Sequence, residues 1–212
     1  LGRVLSTSMH FEGALVLHGS AVAYPAGAVV FLAPKHSGKS TLALALTMAG
    51  ARLVSDDTIA VLDPESERPL VRPGIHSMRL FPDSVSRLLG DAVGEHRVDG
   101  KLIISDLAAG QLQEETLPLA AVYLLASAES IEAGRAVGRR PVMQPLAAAA
   151  MVGQGKISEM LGPAEAPVLL RRAARVASRV PVYQLAVHHD LARLPEVASR
   201  MAEWHGTGDG PV

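Results

Sequence analysis

The chain has 212 residues, 49% of them hydrophobic and 19% charged, with a formal net charge of −1. That composition is globular rather than disordered, and one domain of this length buries about 70% of the surface its unfolded chain exposes. Near-neutral charge and 3% aromatic content argue against nucleic acid or an acidic membrane as partner, and the absence of cysteine excludes disulfide frameworks and thiolate metal sites.

Leu1-Gly2 at the start, without methionine, reads as the beginning of a fragment or a trimmed product. No signal-peptide pattern follows it, and no apolar run reaches the roughly 20 residues of a membrane helix. The longest such run, Leu117–Ala128, contains Pro118 and reads as a core strand. A cytoplasmic location away from membranes is the expectation.

The first strand is predicted over Ala14–His18. Gly19 leads into a second, Ser20–Tyr24, and Pro25-Ala26-Gly27 turns the chain into a third, the β-branched run Ala28–Leu32. A helix is predicted from Lys39 to near Gly50, a residue suited to follow a helix end. Arg52–Ser55 is the next strand, followed by Asp56-Asp57 and the extended stretch Thr58–Leu62; Asp63–Pro69 is a polar hairpin turn. Ser77–Leu80 is extended, Pro82 and Asp83 open a helix running to Leu89, and residues 90–100 read as an exposed loop. Strands over Lys101–Ser105 and Leu119–Ala126 precede a helical second half, with helices over Leu146–Val152, Lys156–Leu161 and Glu165–Val180. Val182–Val187 is a late strand and Leu191–Trp204 a closing helix. No repeat or linker divides residues 1–205, expected to form one domain; residues 206–212 are expected to be a disordered tail.

Between the third strand and the first helix lies Ala33-Pro34-Lys35-His36-Ser37-Gly38-Lys39-Ser40-Thr41. Strand, glycine loop and helix form the setting of a Walker A phosphate-binding P-loop. Gly38 lets the backbone approach the phosphates, and the successive amides and the helix N-terminus face the anion. Lys39 would reach the terminal phosphates and the Ser40 hydroxyl would ligate Mg²⁺. Ala33 stands where the first glycine usually does, and His36 where glycine is frequent. Lys35 and His36 lie inside the loop, within reach of a γ-phosphate or facing solvent.

One helix later, Leu53-Val54-Ser55-Asp56-Asp57 ends an apolar strand in two carboxylates. A right-handed crossover would bring that end beside the loop. Phosphoryl transfer needs a carboxylate to orient Mg²⁺ and a base near the attacking hydroxyl. Adjacent acids on an extended strand point to opposite sides and can divide these tasks.

Taken in order, Leu17-His18-Gly19, the loop ending Ser37-Gly38-Lys39-Ser40, and Gly50-Ala51-Arg52-Leu53-Val54-Ser55-Asp56-Asp57 resemble the catalytic domain of HPr kinase/phosphorylase. The resemblance implies an α/β, mixed-sheet P-loop nucleotide-binding domain of the HPr kinase and phosphoenolpyruvate-carboxykinase-like type. It implies that Asp56 is the base towards a serine hydroxyl, that His18 assists it, and that Asp57 lies near the metal. That family's later Glu-Arg-Gly signature is not present; Ser77-Met78-Arg79-Leu80 is the nearest counterpart, with Arg79 keeping the arginine and Ser77 replacing a metal-binding Glu. Its Pro-Gly-Arg-Asn element has no equivalent near Gln144-Pro145-Leu146-Ala147. The chain is more similar to the shorter HPr-kinase-related proteins, including kinases of lasso-peptide precursors. The family forms hexamers, which implies a homo-oligomer.

The expectation is therefore a kinase that uses ATP (or GTP) and Mg²⁺ to phosphorylate a serine-type hydroxyl on a peptide or protein. Phosphorylation of a small, free-serine-like molecule and a nucleotide-gated binding module without transfer are the alternatives. Arg79 is a candidate transition-state charge stabiliser. Lys101 is read as a surface salt-bridging residue, and His188-His189-Asp190 lacks a third ligand at supporting spacing. His76 and His96 have no assignable partner, and Trp204 is expected to anchor the last helix.

Overall fold

A strand buried along its whole length organises the molecule. The computed structural model describes residues 2–90, 97–126, 137–157, 162–188 and 190–206. Helix α1 (Gly2–Phe11) precedes β1 (Leu15–Leu17), β2 (Gly19–Tyr24) and β3 (Gly27–Leu32), in which all six residues are buried. After the glycine loop come α2 (Lys39–Met48), β4 (Arg52–Asp56), β5 (Ile59–Leu62) and β6 (Leu70–Arg72). A three-stranded antiparallel sheet follows, built from β7 (Met78–Leu80), β8 (Arg97–Val98) and β9 (Lys101–Ile104) with α3 (Pro82–Leu89) beside it. The remainder is β10 (Leu117–Ala126), β11 (Val137–Pro141), α4 (Gln144–Gly153), α5 (Ala166–Arg179), β12 (Val182–Val187) and α6 (Leu194–His205).

The main sheet runs β4–β2–β3–β10–β12–β11, with β3, β10 and β12 mutually parallel and β2 and β11 antiparallel to their neighbours. The first residues of β10, Leu117 and Pro118, also pair with β6, which continues through β5 to β1 in antiparallel register. The fold is thus mixed α/β with a mixed sheet. Side-chain alternation divides the core into two layers. Val29, Phe31, Leu53 and Tyr123 join α2 and α6 on one face, while Val30, Leu32, Val54 and Val122 join α4 and α5 on the other. Continuous apolar strands rather than alternating ones are what burial on both faces demands.

On the first face, Arg139 of β11 lies over the rings of Tyr183 and Trp204, at 4.8 and 4.3 Å from their centroids. Its guanidinium also donates to the Tyr123 hydroxyl, which pairs with His205 Nε2 at 2.8 Å. Burial and the nearby guanidinium bring the His205 pKa down to about 4, so the ring is neutral. Trp204 ties α6 to this face.

Several elements differ from the sequence expectation. Helix α1 buries only Ser6 and His10 and turns Val4 and Phe11 outward, so its apolar residues do not mark its inner face. Strand β11 reads Val-Gly-Arg-Arg-Pro, a composition that suits an edge position better than it signals a strand. In the stretch read as a loop, β8 forms a hairpin with β9, which stands where a strand is expected; the Asp99-Gly100 turn between them has φ values of 52° and 75°, as a two-residue type I′ connection requires. Of the expected helix over 156–161, Lys156 and Ile157 lie in a turn and the rest falls outside the described residues. The closing helix begins with a short 3₁₀ turn, Leu191–Arg193, before α6. The expected tail from 207 onward also lies outside the described residues.

Gly19, between His18 and Ser20, passes so close to β3 that an added Cβ would lie 2.6 Å from the Phe31 carbonyl oxygen. Replacing it with alanine should therefore destabilise the protein by ~1–3 kcal/mol, read as a lowered urea midpoint at unchanged m-value.

Candidate functional site

The loop leaves β3 at Ala33 and enters α2 at Lys39. Gly38, at the helix N-cap, has φ 82° and ψ 8°, a left-handed conformation that costs glycine nothing. A Cβ added there would meet nothing within 4 Å, so the backbone at Gly38 is open to the cleft it lines. His36 is also left-handed, at φ 66°. It occupies the position where glycine is frequent, and its ring lies 5.7 Å from that of Phe81. The Lys39 ammonium donates to the carbonyls of Ala33 and Pro34 at 2.7 and 2.8 Å. Burial lowers its pKa, against the opposing pull of Asp56 and Asp57. Lys35, His36, Ser37, Gly38, Lys39, Ser40 and Thr41 line the cleft, while Ala33 and Pro34 support it through those carbonyls.

Asp56 ends β4 opposite Ser20 of β2. Its Oδ1 accepts from the Ser20 hydroxyl at 2.5 Å and from the Ser40 hydroxyl at 2.9 Å, and the carboxylate also accepts from the backbone N–H of Arg79. Burial pushes the Asp56 pKa up and is the largest influence; the hydrogen bonds oppose it. Because Ser40 spends its proton on Asp56, its oxygen lone pairs remain available to a cation.

Asp57 turns the chain with φ 69° and is more than half exposed. Lys156 Nζ lies 2.6 Å from its Oδ2, and His18 Nδ1 lies 3.3 Å from its Oδ1. The same two groups reach the Asp57 backbone carbonyl at 3.2 and 3.1 Å. His18 first, and Lys156 after it, hold this carboxyl well below the usual carboxylate range. His18 therefore contacts Asp57 rather than Asp56, unlike the expected partnership. The backbone beyond the strand end is the reason: Asp56, still paired in β4, turns inward to Ser20 and Ser40, while Asp57, at φ 69°, leaves the strand on the His18 side.

Lys156 is the residue that local sequence patterns miss. It arrives because residues 154–156 dock on β1: His18 N donates to the Gln154 carbonyl at 2.7 Å, Lys156 N to Val16 at 3.0 Å, and Leu17 bridges Gly155. That pairing joins segments more than 130 residues apart and carries no short-range signal.

The cleft has a volume of about 570 Å³, within the range of small-molecule sites. Arg79 is exposed and lines it, as does Lys101, whose ammonium sits 4.7 Å from the Phe81 ring centroid and has no salt-bridge partner among the described residues. The far wall carries Leu125, Val187 and His188. The Asp190 carboxylate accepts from Ala192 N and caps the 3₁₀ turn, while His189 lies outside the described residues. His76 has a partner after all, the Gln113 carbonyl at 3.1 Å, and His96 lies outside the described residues. Among the described residues no group of three or more His, Asp or Glu could hold a metal alone, and no helix is long and apolar enough to cross a membrane. Ser40, Asp56 and Asp57 all line this cleft, and they are the oxygen donors from which a hard cation's protein ligands would be drawn.

No protein-family model and no curated protein matches the sequence. Among solved structures, the fold is similar to that of the HPr(Ser) kinase/phosphatase from Coxiella burnetii. The two share 15% identity with a TM-score of 0.46, over 89% of this chain and 95% of that one.

The depressed Asp57 carboxyl contributes stability that is present above its unfolded pKa of about 4 and is lost as pH falls through its lower folded value. Lys156→Met should cost at most ~1 kcal/mol at neutral pH, given the exposure of Asp57. In urea unfolding, the gap between variant and wild type should close as the pH drops below about 4.

Proposed function

We propose that this protein is an ATP- and Mg²⁺-dependent kinase that transfers the γ-phosphoryl group to a serine-type hydroxyl of a peptide or protein. The observation that carries the proposal is the convergence of the glycine loop, Ser40 and the Asp56–Asp57 pair in one cleft. The loop amides and the α2 N-terminus suit the β- and γ-phosphates, and the Lys39 ammonium would exchange the Ala33 and Pro34 carbonyls for phosphate oxygens. Its suppressed pKa does not prevent this, because an entering polyanion favours the charged amine.

Ser40 and Asp57 would hold Mg²⁺, which when bound neutralises charge on the transferring group. Asp57 suits that task because its neighbours keep it ionised. Asp56 suits proton transfer because burial raises its proton affinity. In the reaction, Asp56 accepts the hydroxyl proton as the acceptor oxygen bonds to the γ-phosphorus. The bond from that phosphorus to the bridging oxygen breaks, and its electron pair leaves with the diphosphate. Arg79 would stabilise charge spread over the transferring oxygens. His18 would act through Asp57, as a positioning residue.

With γ-labelled ATP, Mg²⁺ and serine-containing peptides, wild-type protein should label a serine. Asp56→Asn should lose that transfer by at least about 100-fold while binding nucleotide almost as tightly as wild type. Lys39→Ala should lose nucleotide binding itself. Parallel loss of binding and transfer in Asp56→Asn would reject the role given to Asp56.

A further inference from the structure

The small sheet β7–β9–β8 presents to the cleft a wall that the transfer chemistry leaves largely unused. Among the described side chains its cations are Lys101 and Arg79, the latter shared with the transfer chemistry, joined from the loop by Lys35. None of the three has a carboxylate partner among the described residues, although the molecule's other long cations repeatedly do, as with Arg171–Glu65, Arg179–Glu67 and Arg200–Glu203. Among the described residues Asp99, at the hairpin tip, is the acid on this wall, and against the three cations it leaves their sum positive.

Two large apolar side chains stand among these charges. Phe81 is 45% and Val98 41% exposed. Phe81 is held between the His36 ring and the Lys101 ammonium, so its exposed face is fixed in position. An occupant that both covers these two side chains and neutralises the cations beside them is the one this wall complements. Phosphate groups would satisfy the cations and leave Phe81 and Val98 wet. A nucleobase would cover the ring and leave the cations unpaired, because in the site proposed above a nucleotide's own phosphates are engaged by the loop amides and Lys39. An acidic peptide with an apolar side chain near its serine would do both.

We propose that this wall docks the acceptor and selects a peptide whose serine is flanked by acidic residues and one large apolar residue. The inference rests on the reading of the cleft as a serine-kinase site and specifies that site's substrate class. Charge complementarity supplies selectivity between acceptors and faster encounter, and Phe81 supplies the anchor.

The test measures docking without chemistry. Two labelled serine peptides of equal length are titrated by fluorescence anisotropy against nucleotide-free, full-length protein. One carries Glu and Leu beside the serine; the other has the Glu residues replaced by Lys. The acidic peptide should bind at least about tenfold more tightly, with the advantage shrinking as salt rises. Lys101→Glu should abolish or invert that preference, Lys101→Arg should retain it, and Phe81→Ala should weaken acidic-peptide binding without changing its salt dependence. No peptide binding, equal binding of the two peptides, or a preference that survives Lys101→Glu would overturn the proposal. So would loss of ATP affinity in Lys101→Glu with no peptide preference in wild type, which would make this a phosphate wall. ATP titration of wild type runs in parallel. Absent nucleotide binding with the peptide preference intact would sink the kinase reading and leave the docking wall standing.

Discussion

One buried carboxylate ties the candidate site to the fold. Asp56 sits at the edge of the main sheet, and its Oδ1 is gripped by hydroxyls from β2 and from the first turn of α2. Taking a carboxylate out of water costs several kcal/mol unless hydrogen bonds replace its hydration. Ser20, Ser40 and the Arg79 amide do so, and in doing so they fix three separate segments around one atom group. The loop conformation, the register of β4 on β2 and the approach of β7 therefore constrain one another. A site assembled in this way inherits the rigidity of the sheet rather than the mobility of a surface loop.

Asp57 is governed by a different balance. It lies one residue further on, beyond the last pairing of β4, and its partners come from the far side of the chain. Here solvent screens the charges, so the energy involved is modest while the geometric effect is not. Lys156 and His18 each touch both the carboxylate and the backbone carbonyl, which holds the left-handed turn as well as the charge. Adjacent acids are thus given opposite electrostatic settings: burial favours the proton on Asp56, and cationic and imidazole partners disfavour it on Asp57.

What the sequence made legible follows from the range of the signals involved. Val29-Val30-Phe31-Leu32, Gly38 and the Leu53–Asp57 strand end carry local patterns of period, turn chemistry and spacing, and strands, loop and acidic pair stand where those patterns lead. The contact of His18 with Asp57 instead of Asp56 depends on which side each acid faces once β4 ends, a matter of one backbone angle. Lys156 depends on a bridge between Leu17 and Gly155, and β11 on an edge beside β12 that tolerates Gly, Arg and Pro. Asp99-Gly100 is a hairpin signal and β9 follows it as an apolar-rich strand, but β8 before it is two residues long and too short to carry a pattern of its own. Long-range pairing, and the positive φ of a residue such as Asp57 that no glycine or hairpin signal flags, are what this chain's local patterns do not encode.

The double engagement of β10 bears on how this chain matures during synthesis. β3 ends at Leu32, yet its parallel neighbour does not begin until Leu117 and is itself flanked by β12, which starts only at Val182. While the ribosome adds the intervening residues, β2, β3 and β4 can pair locally, but one edge of β3 stays open and the α4–α5 layer that covers its second face has yet to be made. Such non-local pairing slows folding and prolongs the exposure of an unpaired, wholly apolar strand. The nascent half-chain is therefore the form of this protein most in need of a chaperone, and the central strand that makes the finished fold cohesive is the one that leaves the unfinished one sticky.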